Sequence, residues 1–235
     1  MIPARIGSTR LKMKNLALIN GKPLIYYAIQ AAKESGVFDK IVLNSENQIF
    51  DSIANEYNVE FYRRPEHLGS SETKSDEVIA DFINKHKDID IVAWVNPIAP
   101  FQTGDEINRV VKYFIDNKLD SLITVEEKNV HCLYDGKPIN YDINQPFART
   151  QDLIPVEAFC YTLMMWNSIC FLKEFKQNGH ALFCGKFNTH TVNKLSAIII
   201  KDQRDLQLAD YLMQGLNKND LLDYSVKYHP TAQKR

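Results

Sequence analysis

Apolar positions along this chain follow two rhythms. Runs near a 3.6-residue period predict amphipathic helices over 23–35, 48–57, 75–86, 105–117, 168–177 and 203–215, the first closed by Gly36 as a left-handed cap. Between them, short apolar runs over 40–44, 59–62, 91–95, 121–125, 160–166 and 196–200 predict strands. The run Ile91-Val92-Ala93-Trp94-Val95 is apolar at every position, as a strand covered on both faces must be. Strands of this kind separated by helices predict an α/β fold, a mostly parallel sheet with helices on both faces. Residues 1–20 read as a loop.

The rhythm breaks over 126–159. Segments there are short, interrupted by polar residues and rich in turn signals such as Asp135-Gly136-Lys137-Pro138. This pattern predicts an antiparallel arm inserted into one domain spanning 1–235. No internal repeat or low-complexity tract is present, and the tail at 233–235 is expected to fray.

Composition narrows the class. With 45% hydrophobic and 24% charged residues, disordered and collagen-like classes are excluded. The 28 Lys+Arg against 29 Asp+Glu leave a formal net charge of -1, so no global field draws the chain onto nucleic acid or an anionic membrane. The four cysteines are widely spaced, without a Cys-x-x-Cys pair, and read as buried free thiols. No apolar run approaches the roughly 20 residues needed to span a bilayer, and the start lacks secretory-signal order, so a cytoplasmic protein is expected. The six histidines have no paired spacing for a metal site, and Trp94 reads as core.

Charge order changes the picture that net charge gives. Arg5, Arg10, Lys12, Lys14, Lys22 and Lys33 all precede Glu34, the first acidic residue. The block Pro3-Ala4-Arg5-Ile6-Gly7-Ser8-Thr9-Arg10 combines a permissive glycine, two small hydroxyl residues and two guanidinium groups, a set able to wrap polyphosphate oxygens. Arg5, Arg10 and Lys14 could neutralise charge moving onto a leaving pyrophosphate. Gly21-Lys22 lacks the remaining spacing of a Walker A loop. A solvated basic loop is the plain alternative.

The order Ile2-Pro3-Ala4-Arg5-Ile6-Gly7-Ser8-Thr9-Arg10-Leu11-x-x-Lys14-Asn15-Leu16, followed by Asn20-Gly21-Lys22-Pro23-Leu24-Ile25, closely resembles the opening of the CMP-sugar synthetases, the acylneuraminate and deoxyoctulosonate cytidylyltransferases. Arg64-Pro65-x-x-Leu68, Glu72-Thr73, Asn96-Pro97-x-x-Pro100-Phe101, Arg149 and Asp205-Leu206 agree with it in order, so the resemblance covers almost the whole chain. It implies a Rossmann-like, GT-A-like nucleotidyltransferase fold whose inserted arm dimerises. It also implies transfer of CMP from CTP to an acidic sugar, with pyrophosphate as product and Mg2+ as cofactor. Carried onto this sequence, Arg5 and Lys14 would hold the triphosphate, with Ala4, Gly7, Ser8, Thr9 and Arg10 in the same loop. Arg64 and the turn Thr73-Lys74-Ser75 would frame the cytosine, while Asn96 to Gln102 and Arg149 would face the sugar. For Arg64 and Arg149 a surface ion pair is the competing reading.

Three departures from the family pattern stand out. A strand usually precedes the Pro-Ala-Arg stretch, but only Met1-Ile2 does here, so the sequence predicts a natural start upstream and a central sheet left with unpaired ladders. Ile199 and Lys201 stand where the resemblance places metal-binding aspartates. The nearest carboxylate, Asp202, is expected to cap the next helix or, after a one-residue shift, to bind the metal, and Lys201 to replace a metal charge at the phosphates. Finally, Gln102 stands where a basic residue is usual, and Tyr161-Thr162-Leu163 replaces an Asn-Gly turn, which points to an unusual acidic sugar or a less acidic one. Two further readings remain: a degenerate homologue that binds a nucleotide or a partner without turnover, and a GT-A glycosyltransferase. The second lacks support, because Asp88-Ile89-Asp90 precedes its strand rather than following it.

Overall fold

Every apolar run from 40 to 125 forms a strand, and every amphipathic run from 23 onward forms a helix close to its expected bounds. The computed structural model describes residues 1–216; the tail at 233–235 and His229 lie outside the described residues. In chain order the strands are β1 (Ile2–Pro3), β2 (Leu18–Ile19), β3 (Lys22–Pro23), β4 (Val42–Ser45), β5 (Glu60–Arg63), β6 (Ile91–Val95), β7 (Ser121–Lys128), β8 (Leu133–Tyr134), β9 (Lys137–Pro138), β10 (Val156–Asn167) and β11 (Phe187–Thr191). The helices are α1 (Leu24–Ser35), α2 (Ile49–Glu56), α3 (Ser75–Lys85), α4 (Gly104–Asp116), α5 (Ser168–Asn178) and α6 (Gln203–Leu216).

Two sheets lie edge to edge, ordered β1-β4-β5 and β11-β7-β10-β6. The pairs β1/β4, β4/β5 and β11/β7 are parallel. At the seam, the amine of Met1 donates to Ala93 O at 2.8 Å and Val95 N donates to Met1 O at 3.0 Å.

Residue alternation explains why these strands read as wholly apolar. Along β6, Ala93 and Val95 enter a core with Ile25 and Ile29 of α1, Phe50 of α2 and Phe114 of α4. Val92 and Trp94 face the opposite core, with Ile79 and Phe82 of α3 and Phe171 of α5. Each large side chain buried in this way contributes about 1.5–3 kcal/mol. A third cluster seats α6, through Ala209 and Met213, against Ile19, Leu24 and Phe101.

Four expectations are corrected. The opening is not all loop: Ile2 pairs with Leu43 and Pro3 with Asn44 in parallel register, and Ala4 N donates to Asn44 O at 2.9 Å. The expected gap in the central sheet is thus bridged by Met1 to Ala4, which saturate the neighbouring backbone groups. A tight hairpin, β2/β3, follows on Asn20 and Gly21, both at positive φ (46° and 73°), the geometry that glycine and asparagine tolerate best. Second, β10 runs antiparallel to both β6 and β7, because it returns from the arm rather than through a crossover helix. Third, 196–200 is not a strand: a turn runs over 194–197, with Ala197 N donating to Asn193 O and Ile198 N to Leu195 O, and 198–200 is irregular. Ile198 and Ile200 are apolar because they pack on the third cluster. Fourth, the strand in that part of the chain is instead β11, Phe-Asn-Thr-His-Thr, an exposed edge with no apolar run to betray it.

The region 126–159 emerges from the sheet as a ribbon, with Lys128 paired to Val156, and carries the hairpin β8/β9 on Asp135 and Gly136. Tyr134, Phe147 and Ile154 are 77%, 80% and 78% exposed, so the arm has little core of its own.

Candidate functional site

The loops leaving the carboxyl ends of β1, β5 and β6 enclose a cavity of about 290 Å³. This is where open α/β sheets bind ligands. Ala4, Arg5, Ser8, Lys14, Arg64, Thr73, Ser75 and Asn96 all line it, so the tertiary structure gathers residues that stand far apart in the chain. Gly7 and Thr9 border an open groove beside it, shared with Lys12, Ser70 and Ser71.

The loop after β1 is shaped from below. Glu46, at the end of β4, accepts from Ile6 N at 3.0 Å and from Arg64 Nη2 at 2.9 Å. Arg64, 4% exposed, also donates to Asn44 O at 3.1 Å and to Ala4 O at 2.9 Å. Burial lowers its pKa, and the Glu46 carboxylate opposes that shift. Arg64 is therefore neither a surface ion pair nor free to frame a base: its guanidinium lines the cavity while clamping the first turn of the loop. Gly69 lies so close to Glu46 that an added Cβ would clash with its carboxyl group.

Above this clamp the groups are cationic and, among the described residues, carry no ion pair with a carboxylate. Arg5 donates one bond, Nη1 to Ser70 O at 2.9 Å, which ties the two rims of the cavity together. Lys14 starts a 3-10 turn (Lys14–Leu16). Burial first, then the neighbouring Arg10 and Arg5, lower its pKa, and Asp205 pulls it the other way. Asn15 donates to Arg5 O at 3.4 Å, and its buried Oδ1 has no partner. The second rim is fixed by Thr73, whose hydroxyl donates to His67 O at 2.8 Å, and by Lys74, the N-cap of α3.

Two expected roles change, and Asp202 takes the first of its two expected ones. Gln102 is buried and does not reach the cavity, because its amide donates to Thr162 Oγ1 at 3.1 Å beneath it. Arg149 lies on the arm away from this cavity, in a two-pronged ion pair with Asp152 at 2.7 and 3.1 Å, as the surface reading has it. Asp202 acts as a helix cap: its Oδ1 accepts from Arg204 N at 2.8 Å and Asp205 N at 3.1 Å, and Asp205 Oδ2 in return accepts from Lys201 N at 2.7 Å. Backbone donation from Asp205 holds the Asp202 carboxyl below the usual range, with Arg204 and Arg10 adding to it. Lys201 is exposed at the same end of α6.

The donor set does not fit a divalent cation held by the protein. Asp202 and Asp205 are committed to the cap and Glu46 to Arg64, and among the described residues no group of three or more His, Cys, Asp or Glu side chains is placed to hold a metal.

Sequence reasoning missed Glu46, Asn15, Ser70 and Trp94. Trp94 both packs on the α3 core and lines the cavity, and its buried Nε1 has no partner. Only Asn15, which stands inside the opening motif, carried a sequence signal.

The model of the cytidylyltransferase family matches residues 1–135. The chain is 25% identical over 244 residues to the N-acylneuraminate cytidylyltransferase of Escherichia coli O18:K1:H7, covering 100% of this chain and 56% of that protein. It is 31% identical over 132 residues to the pseudaminic acid cytidylyltransferase of Campylobacter jejuni subsp. jejuni serotype O:2, covering 54% of this chain and 57% of the relative. The chain spans about half the length of the first curated relatives it matches. Its fold is shared with CMP:2-keto-3-deoxy-manno-octonic acid synthetase solved with CTP, at a TM-score of 0.66 and 14% identity over 92% of this chain and 97% of the other. Among the described residues no helix is long and apolar enough to cross a membrane.

Proposed function

Because the chain belongs to the cytidylyltransferase family, we propose that it transfers CMP from CTP to an acidic sugar and releases pyrophosphate. The observation that carries this reading is one cavity lined by Arg5, Ser8 and Lys14 on one rim and by Thr73 and Ser75 on the other. The first set suits a triphosphate and the second a base edge.

In this mechanism a bond forms between the sugar's anomeric oxygen and the α-phosphorus, and the bond from that phosphorus to the β-phosphate oxygen breaks in line. The hydroxyl proton passes to water late in the step, so positioning and charge neutralisation dominate over a dedicated base. Arg5, Arg10 and Lys14 take up negative charge as it moves onto the pyrophosphate, and Lys201 adds a fourth cation from the segment just before α6. Backbone groups of Thr73 to Ser75 read the cytosine amino group, which uracil lacks. Asn96 stands on the acceptor side. Mg2+ would add charge stabilisation at the phosphates, without a carboxylate from the cap, where Asp202 and Asp205 are engaged, or from Glu46, which is paired with Arg64.

The active unit in this reading is a homodimer built through the arm, which would bring Arg149 toward the acidic sugar of a second copy. Exposed Tyr134, Phe147 and Ile154 support it.

Pyrophosphate release from CTP, measured against a panel of nonulosonic and octulosonic acids, tests the proposal; release with at least one acid is expected. The engagement of Asp202 and Asp205 in a cap favours one competing reading, a homologue that binds nucleotide without turnover. CTP-dependent thermal stabilisation with no release across the panel would favour it.

A further inference from the structure

The segment that leads into α6 returns to the rim of the cavity. Ile200 N donates to Ile98 O at 2.9 Å, and Ile98 lines the cavity, so Lys201 is the next residue along that rim. Leu11 of the basic loop packs in one cluster with Ile198 and Leu206, which brings Arg10 and Lys14 alongside the start of α6. The two segments feel each other's charge: Arg10 helps to hold the Asp202 carboxyl low, and Asp205 acts on Lys14. The basic opening and the first turn of α6 thus form one wall.

On that wall the acids are engaged and the bases are not. Asp202 Oδ1 accepts from Arg204 N and Asp205 N, and Asp205 Oδ2 accepts from Lys201 N at 2.7 Å and Asp202 N at 3.2 Å. Turning either carboxylate toward a cation would strand two backbone N–H groups at once, a loss that a helix start does not recover elsewhere. The same caps occupy the N–H groups with which a helix start would otherwise meet an anion. Arg10, Lys14, Lys201 and Arg204, in contrast, enter no ion pair among the described residues. A divalent cation of the magnesium kind takes carboxylate and other oxygen ligands. Here it would have to settle among ammonium and guanidinium groups, and the positions expected to carry its aspartates hold Ile199 and Lys201.

Charge balance extends this disagreement from the metal to the substrate. Arg5, Arg10, Lys14 and Lys201 set four positive charges around the cavity mouth, and a fully ionised nucleoside triphosphate brings about four negative ones. Its magnesium complex brings about half as many, which would leave part of the wall without a counter-charge.

We infer that Lys201 takes the place of a protein-held divalent cation, its ammonium meeting the triphosphate directly, so that this protein binds its nucleoside triphosphate free of magnesium. This rests on the transfer reaction proposed above for the identity of the nucleotide, CTP, and adds the ionic form in which the site accepts it. A lysine suits the role because its ammonium is a compact point charge on a flexible stem, able to follow a phosphate as a bound ion would.

The test titrates CTP and CMP into wild type, Lys201→Met and Lys201→Arg by calorimetry, once in EDTA and once in excess magnesium, with melting temperatures alongside. Wild type should bind CTP in EDTA at least as tightly as in magnesium. In EDTA, Lys201→Met should weaken CTP by about tenfold or more, as loss of a charge-assisted bond implies, while CMP, which lacks the outer phosphates, changes less than twofold and the melting temperature holds. Lys201→Arg, which keeps the charge, should stay within threefold of wild type. Wild-type binding that tightens in magnesium overturns the inference. So does unchanged CTP affinity in Lys201→Met, a loss shared equally by CTP and CMP, or CTP binding under neither condition. Pyrophosphate release is scored separately: wild type that binds CTP in EDTA but releases no pyrophosphate with any acid defeats the transfer reaction and leaves this inference standing.

Discussion

Among single residues, Lys14 and Glu46 divide the work of the cavity between binding and shaping. The lowered pKa of Lys14 reflects burial beside Arg10 and Arg5, so the pocket holds more positive charge than it can neutralise alone. A triphosphate relieves this. Lys14→Met should raise KM for CTP by about 100-fold, in line with loss of a charge-assisted bond worth about 2–3 kcal/mol. The sign of the pH effect follows from deprotonation: CTP affinity should fall as pH rises through a value below that of ordinary lysine, and Lys14→Arg should abolish this alkaline limb in a kcat/KM profile. Glu46 acts differently, because it pairs Arg64 where neither side chain meets much water (9% and 4% exposed). Removing one partner leaves a charge buried, so Glu46→Gln should destabilise the fold by about 3–5 kcal/mol, read as a shift in urea midpoint. Its role was illegible in the sequence, since nothing in Asn44-Ser45-Glu46 announces that Arg64 folds back onto it.

At the level of elements, local signals fixed the helices and their ends well. Gly36 at φ 65° closes α1 as its position predicts, and α4 starts on Thr103, whose hydroxyl accepts from Glu106 N at 3.3 Å. Strand direction was less legible: an apolar run states that a segment is covered, not which neighbour it pairs with, and so β10 gave no sign of running antiparallel. The edge strand β11 escaped for the complementary reason: Phe187 is its one large apolar residue, so no alternation marks the face it packs inward. The start of α6 decides between cap and ligand for Asp202. Asp202→Ala should lower the melting temperature slightly and leave the magnesium dependence of pyrophosphate release unchanged. Because its carboxyl pKa is depressed by the cap, the stabilisation it gives is present above the unfolded value near 4 and is lost as pH falls below it. A large loss of activity rescued by high magnesium would instead make Asp202 a ligand.

For the molecule as a whole, the arm is the element whose surface the described fold leaves uncovered. Replacing Phe147 and Ile154, 80% and 78% exposed, by serine should shift a sedimenting dimer to a monomer with little change in monomer stability. By itself the sequence determined what depends on local order: the period of each helix, the covered strands, the acid-free basic opening and the turn-rich arm. It also named most of the cavity wall, because Ala4, Arg5, Ser8 and Lys14 stand in one short loop and the second rim in another. The tertiary structure alone decided which of those residues remain free to meet a ligand. Arg64 and Gln102 were drawn into the interior because a buried charge and a buried amide need partners that only long-range packing supplies. Tyr161 was left on the surface because the stretch of β10 that carries it is held by Thr124 and Asn96, contacts that exist only once β6, β7 and β10 lie side by side.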